Sequence, residues 1–251
     1  TTITAMDTGI NVIDASGATG ALTVAAAARD GDVYTITGGS ANDTIALENV
    51  GDVLVAGEGT GDNLVVNFTA ILGGINVDLS KTDQVTSLDG GANTAVQSGF
   101  ESVDVSGFAG FGAVVVGSAG ANTIVGAPAA SNLTGAAGAD IITGGAGADD
   151  FIVANAETNK LILDTITDLG TGDQISITAA SGLLDTIGAV TMGAKITLSE
   201  HATLADYLDL ATDQNASDIN DSDNEHVVEW FQYSGDTFLA VDTSSATVFT
   251  T

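Results

Sequence analysis

The chain has 251 residues and a mass of 24.8 kDa, enough for one elongated or two compact domains without disulfide staples. Four Lys+Arg stand against 33 Asp+Glu, a formal charge of −29, which argues against a surface built for nucleic acid or an anionic membrane. The absence of Cys removes disulfides, thiolate zinc sites and Cys nucleophiles, and two His leave little for transition-metal or triad chemistry.

The acids are 26 Asp to 7 Glu, and Asp is the short carboxylate that suits tight turns. Aromatics make up 5% and there is one Pro, so this is not the composition of an ordinary enzyme core. The longest weakly polar run, Phe108 to Ala121, is broken by Gly and Ser, and no transmembrane helix is predicted. The chain opens on Thr1 with no charged or apolar leader, and Thr247 to Thr251 is strand-like with no closing turn. A fragment or a processed product, with sequence missing at its C-terminal end, is the expectation.

In chain order, NVIDASGATGALTV (Asn11 to Val24) pairs an apolar-Asp-apolar step and Ser-Gly with a β-branched strand. GGSANDTIA (Gly38 to Ala46) then carries Asp43 and Ile45, LENVGDVLV carries Asp52 and Leu54, and GEGTGDNLV, after a one-residue insertion, carries Asp62 and Leu64. Phe68 to Leu79 alternates as a strand, and Ser80 to Gly99 reads as a polar loop region. ESVDVSGFAGFGAVVV (Glu101 to Val116) echoes the opening segment, which divides the chain into two similar units of about 90 to 110 residues.

From Gly117 four nonamers follow without a gap: GSAGANTIV, GAPAASNLT, GAAGADIIT and GGAGADDFI. Their sixth positions are Asn122, Ser131, Asp140 and Asp149, and their eighth positions are Ile124, Leu133, Ile142 and Phe151. The last two fit G-G-x-G-x-D-x-U-x, the calcium-binding β-helix repeat. LILDTITDLGTGDQISIT (Leu161 to Thr178) reads as two short strands around a Gly-Asp turn, as a terminal coil would. Leu198 to Thr212 has helical spacing at Leu204, Tyr207, Leu208 and Ala211, and Asp213 to Glu225 is an acidic loop. His226 to Ser244 is a β-hairpin turning near Ser234-Gly235-Asp236. Its aromatics, Trp230, Phe231, Tyr233 and Phe238, read as packing against the Leu204/Leu208 face, the alternative being a carbohydrate platform. His201 and His226 read as surface or capping residues.

The spacing has a mechanical meaning. Glycines at positions one, two and four allow positive φ and expose carbonyls, the sixth-position carboxylate points into the same turn, and the eighth residue points inward. Coils of a parallel β-helix stack about 4.8 Å apart. With two nonamers per coil, Asn122 stacks with Asp140, Ser131 with Asp149, and Asp43, allowing for the insertion, with Asp62. Bare carboxylates at that spacing repel, and a calcium ion taking roughly 6–8 oxygens at about 2.3–2.6 Å converts the repulsion into a cross-link. Asp140, Asp149, Asn122 and the turn glycines Gly138, Gly145 and Gly147 are the leading ligand candidates, with Asp168, Asp43 and Asp62 next. Asp168 is placed to complete a site above Asp149, and Asp52 lies on the opposite edge from Asp43 with no obvious stacked partner.

At these residues the chain resembles the RTX group of calcium-binding, type I secreted bacterial proteins, and within it the self-assembling surface-layer (S-layer) proteins. The resemblance rests on the second nonamer block, on the Ala/Thr/Gly-rich coils with few basic residues, and on TLADYLDLA followed by the EWFQYSGDTFLAVDTSSATVF hairpin. It implies a right-handed parallel β-helix or β-roll, mainly β, with calcium in the turns and a small α+β cap. The expected domains are 1–100 (weak repeats), 101–180 (RTX nonamers) and 181–251 (helix plus hairpin). The function it implies is structural and extracellular: a lattice of copies of the chain on a bacterial surface, anchored to glycan or lipopolysaccharide through regions outside this sequence. The alternative is the ancillary calcium-binding domain of a secreted hydrolase or adhesin. No catalytic residue is expected, since the sequence has no HExxH and no GxSxG. A glycan- or ice-binding module would need periodic Thr columns, and Thr looks scattered in the linear sequence.

Overall fold

The computed structural model describes residues 1–3, 10–25, 32–68, 73–154, 164–178, 192–197, 228–234 and 236–241. Two compact units divide the chain, Thr1–Ser176 and Ile177–Thr251. The helix expected over 198–212 and the acidic loop after it lie outside the described residues.

The first unit is a β-solenoid of about seven turns, with no helix among the described residues. Its strands are β1 (Thr2–Ile3), β2 (Val12–Asp14), β3 (Thr23–Val24), β4 (Thr35–Thr37), β5 (Thr44–Leu47), β6 (Val53–Val55), β7 (Asn63–Val66), β8 (Ile75–Asp78), β9 (Val85–Leu88), β10 (Gly91–Ala92), β11 (Gln97–Ser98), β12 (Ser102–Asp104), β13 (Ala113–Val116), β14 (Thr123–Val125), β15 (Asn132–Thr134), β16 (Ile141–Thr143), β17 (Asp150–Ala154), β18 (Thr165–Ile166) and β19 (Gln174–Thr178). One face is an eight-stranded sheet ordered β1-β3-β5-β7-β12-β14-β16-β18. The strands between these form the other sheets, β11-β6-β4-β2 and β10-β9-β8-β13-β15-β17-β19.

The nonamer sets this layout directly. Six residues turn, three form a strand, and the middle strand residue is the apolar eighth position, so two nonamers make one coil. Ile124 pairs in parallel with Ile142, and Leu133 with Phe151, eighteen residues on in each case. The one-residue insertion before Gly57 is visible as Ile45 pairing with Leu64. The core is therefore columns of like side chains: Val24, Ile45, Leu64, Val103, Ile124 and Ile142 on one sheet, Val77, Val115, Leu133 and Phe151 on the other. All are at most 4% exposed, and each contributes about 1.5–3 kcal/mol of transfer energy against the entropy of ordering the coil.

Position one of the nonamer needs glycine for a different reason from the one its sequence suggests. A Cβ on Gly117 or Gly126 would lie 2.1 or 2.2 Å from the carbonyl oxygen of Gly135 or Gly144 in the next coil, and neither glycine has positive φ. Close approach of stacked backbones, rather than a left-handed turn, selects glycine there. In the four contiguous nonamers positive φ falls at later turn positions, among them Gly138 at 123° and Gly145 at 110°.

Residues 80–99 are not the plain loop expected from their polarity. β9 pairs antiparallel with β8, and β11 pairs parallel with β6, so this segment ends one sheet and begins the next. Two of its polar residues are buried glutamines. Gln84 Nε2 donates to the carbonyls of Leu79 and Phe100 while its Oε1 accepts the Phe100 amide. Gln97, opposite Leu54 in the register, donates from Nε2 to the Asp52 carbonyl at 2.6 Å. Amide side chains, with a donor and an acceptor each, satisfy the backbone groups that the change of sheet leaves buried.

The two echoing segments also have a local explanation. Ser16 and Ser106 donate their amides to Asp14 and Asp104 Oδ1, and Ser80 does the same to Asp78. The repeated Asp-x-Ser is an Asx turn that ends a strand, used three times. Its two outer copies lie in different sheets, since β2 and β12 do, and the eight-stranded sheet runs unbroken from β7 to β12.

The second unit contains a three-stranded sheet of β20 (Met192–Ile196), β21 (Val228–Tyr233) and β22 (Asp236–Val241). β20 runs parallel to β21, and β21 and β22 form the expected antiparallel hairpin, with Tyr233 opposite Asp236 and Ser234 at φ 54°. Among the described residues no helix is long and apolar enough to cross a membrane.

Candidate metal centre

The turns preceding the strands form two edges of the solenoid, and the sixth-position residues line both. On one edge, in front of the eight-stranded sheet, Asp43, Asp62, Glu101, Asn122, Asp140 and Asp164 follow each other coil by coil. On the other stand Asp52, and further along Ser131, Asp149 and Asp173. Asp43, Asp52, Asp62, Asn122, Ser131, Asp140 and Asp149 are all buried.

The stacking predicted from the spacing is present, through a bond the sequence did not suggest. Each carboxylate accepts the backbone N–H of the sixth-position residue one coil earlier. Asn122 donates to Asp140 Oδ1 at 2.8 Å, Ser131 to Asp149 Oδ1 at 2.8 Å, and Asp43 to Asp62 Oδ1 at 2.6 Å. The same bond carries the ladder past the repeats: Asp62 N–H to Glu101 Oε2, Asp140 N–H to Asp164 Oδ1 and Asp149 N–H to Asp173 Oδ1. The carboxylates are therefore not bare in the stack. Many also close their own turn, as Asp43 Oδ2 does with the Gly39 amide. Asn122 Oδ1 and Ser131 Oγ keep that second bond, to the amides of Ser118 and Ala127, which explains why a neutral residue is tolerated there.

Asp168 does not occupy the place above Asp149; Asp173 does. Asp168 instead accepts the amides of Gly144 and Gly145, both at 2.8 Å, at the start of the turn that ends in Asp149. The coil is twenty-four residues long here rather than eighteen, so a count from the nonamer period lands six residues short of Asp173, next to Asp168. Asp52, for which no partner was legible, accepts the Tyr34 amide at 2.9 Å and those of Glu48 and Asn49 in its own turn. Gly138, Gly145 and Gly147 sit at turn positions where a Cβ would lie 2.7, 2.6 and 2.5 Å from backbone of the neighbouring coil. Glu101, Asp164 and Asp173 were missed because none belongs to a nonamer; an acid two residues before a β-branched apolar residue (Val103, Ile166, Ile175) was the available signal.

The electrostatics of these edges are one-sided. Burial pushes the carboxyl groups of Asp62, Glu101, Asp149 and Asp164 up, and the charge of the neighbouring acid adds to it for the first three. Asp173 is held down by the amides of Asp149 and Gly170. The chain supplies only four basic residues, one of which, Lys81, pairs with Asp78. Asp149 Oδ2 is buried without a hydrogen-bond partner, and the charges of Asp173 and Asp168 both bear on it.

A hard divalent cation fits this donor set, which is all oxygen and carries uncompensated buried charge. Among the described residues no three His, Asp or Glu side chains converge tightly enough to ligate an ion alone, so turn carbonyls must complete the shell. Residues 116–151 match the RTX calcium-binding nonapeptide repeat, in four copies. RTX nonapeptide repeats bind calcium, and calcium is the cofactor. Comparison of the whole chain with curated proteins and with solved structures gives no significant match.

Removing the carboxylate of Asp149 or Asp140 is expected to lower the calcium stoichiometry, and Asp52→Ala to leave it intact, because only the first two stand in turns with glycine at positions one and four. All three are buried and accept a backbone amide from the coil before, so each substitution lowers stability by about 1–3 kcal/mol through the lost bond. Calorimetric titration separates the two effects. Equal loss of calcium in all three variants contradicts the ranking.

Proposed function

We propose that this protein is a structural, non-catalytic component of a bacterial cell surface, exported by type I secretion, whose solenoid is ordered by calcium and which assembles with copies of itself into an S-layer. The observation that carries the reading is the pair of buried carboxylate ladders, in a chain with 33 acids and four bases, inside a fold whose RTX repeats bind calcium. Asp140, Asp149 and Asn122 with carbonyls of Gly138, Gly145 and Gly147 hold the ion in the nonamer turns, and Asp43, Asp52, Asp62 and Asp168 extend the set. The ion's chemistry is to neutralise stacked charge and lock successive coils in register.

Composition supports the self-assembling half. Faces with 33 acids and four bases do not meet by complementary charge, so contacts between copies are apolar, hydrogen-bonded or bridged by the ion. Exposed Phe111 (76%) and Val12 (64%) are apolar groups such contacts would cover. Anchoring to surface glycan or lipopolysaccharide belongs to regions outside this chain.

Sedimentation and electron microscopy with millimolar calcium and with chelator test the proposal. Ordered sheets that chelator dissolves, and that magnesium restores poorly because it dehydrates reluctantly, are the expected result. A species that stays monomeric at micromolar protein across the calcium range rejects the lattice and favours an ancillary calcium-binding domain of a secreted hydrolase or adhesin.

A further inference from the structure

The nonamer match ends at residue 116 on its N-terminal side, yet the carboxylate ladder does not stop there. Glu101 enters from the segment in which one sheet gives way to the next, thirty-nine residues after Asp62. Its Oε2 nevertheless accepts the Asp62 amide at 2.8 Å, the bond that Asp140 makes to Asn122. The register agrees, with Leu64 opposite Val103 and Val103 opposite Ile124.

Glu101 differs from Asp43 and Asp52 in what it does next. Each of those spends an oxygen on the amide four residues back, of Gly39 and Glu48. Here that amide, of Gln97, donates to Asp83, and the Phe100 amide donates to Gln84. Glu101 is thus held at its far end by a neighbouring coil without closing a turn of its own. The Asp62 beneath it is fully buried, and its Oδ2 makes no hydrogen bond. Both Asp62 oxygens lie 2.5 Å from where a Cβ on Gly59 would stand, so they face into the cradle of turn 57–62. On the far side the Asn122 amide group donates to the Glu101 carbonyl at 2.6 Å, a neutral spacer between Glu101 and Asp140.

We propose that Glu101 and Asp62 form a divalent-cation site outside the nonamer repeats, with carbonyls of turn 57–62 completing the shell, so that the cation edge runs across the join between the two blocks. The proposal rests on the calcium reading of the nonamer turns. It assigns to Glu101 the role that the Asp of a nonamer plays, with one more methylene to reach from a turn of different shape. A buried carboxylate whose Oδ2 makes no hydrogen bond, beside a second, half-buried one, is what a calcium ion satisfies.

Calcium titration of the full chain, stripped of metal beforehand, compares wild type with Glu101→Gln, Asp104→Asn and Asp140→Asn. Glu101→Gln keeps an oxygen for the Asp62 amide and removes the charge; it is expected to bind one calcium ion fewer per chain. Asp104→Asn, in an exposed Asx turn three residues on, is expected to bind the full number. Full stoichiometry in Glu101→Gln together with a loss in Asp140→Asn overturns the Glu101 site and leaves the nonamer reading standing. A loss in Glu101→Gln alone supports the site and overturns the nonamer assignment, and a wild type that binds no calcium overturns both. Should Glu101→Gln fail to fold, wild-type crystals grown with terbium decide the matter. An anomalous peak between the carboxylates of Asp62 and Glu101 supports the site, whereas filled nonamer turns without that peak overturn it, leaving the two acids as a proton-sharing pair.

Discussion

Chelating calcium is expected to lower the melting temperature of the solenoid by tens of degrees and to reduce its strand signal in circular dichroism. A site at one hundredfold excess of free ion over Kd adds about 2.7 kcal/mol, so even two sites shift Tm by roughly 10–20 °C for a chain of this size. Without the ion, Asp62 and Asp149 remain buried and Glu101 and Asp164 half-buried, all with raised pKa values. A group whose pKa is higher folded than unfolded binds more protons in the folded state, so its contribution is present at low pH and is lost as pH rises through the folded value. The chelated protein should therefore be more stable just below the ordinary carboxyl values of 3.8 and 4.5 than at neutral pH, with Asp14 and Asp173, held low, pulling weakly the other way. With calcium bound the order reverses, since protons then compete with the ion. Thermal melts from just below pH 3.8 to neutral pH, with and without chelator, measure both signs; melting curves that ignore chelator at neutral pH contradict the account.

The reason so much of the solenoid was legible is that its period is written in residue types. Ile124, Leu133, Ile142 and Phe151 fall nine apart and are the core; Asp140 and Asp149 fall nine apart and are the edge. Where the coil length changes, the period stops informing. The coil from Ile142 to Ile166 is longer by six residues than the one before it, which is why Asp168 was chosen and Asp173 overlooked. Gln84 and Gln97 were unreadable for another reason, because a buried amide that satisfies a break between sheets looks like a loop residue until the break itself is known. Thr columns were similarly hidden. Thr2, Thr23 and Thr44 stack in register on the outer face of the eight-stranded sheet although they are twenty-one residues apart in sequence. The amide-to-carboxylate ladder could not be seen in the spacing, since the period gives which residues stack and not which atoms of them meet.

Gly112→Ala should damage the fold more than loss of any single carboxylate, and it does so without touching a candidate ligand. Gly112 has φ +115°, where an L side chain is strained, and a Cβ there would lie 1.9 Å from the carbonyl oxygen of Ala130 in the next coil. An acid removed from a turn leaves its amide donors free to take water, whereas this clash is between two backbones and has no flexible side chain to relieve it. The Ala130 coil must move by about an ångström, and β13 and β15, paired from Val114 to Val116, must move with it. Backbone strain and overpacking together make the cost about 3 kcal/mol or more, a fall in Tm of roughly 6–12 °C. Gly20→Ala is the control, since nothing lies within 4 Å of its Cβ position and its φ is not positive, and it should shift stability by no more than about 0.5 kcal/mol. Because the coil that Gly112 displaces carries Ser131 and lies against Asp149, calcium affinity in the nonamer turns should weaken as well, even though every ligand is retained. Equal melting temperatures for the two variants would mean that the coils tolerate looser stacking than a 1.9 Å approach allows, and would remove close backbone packing as the reason for glycine at these positions.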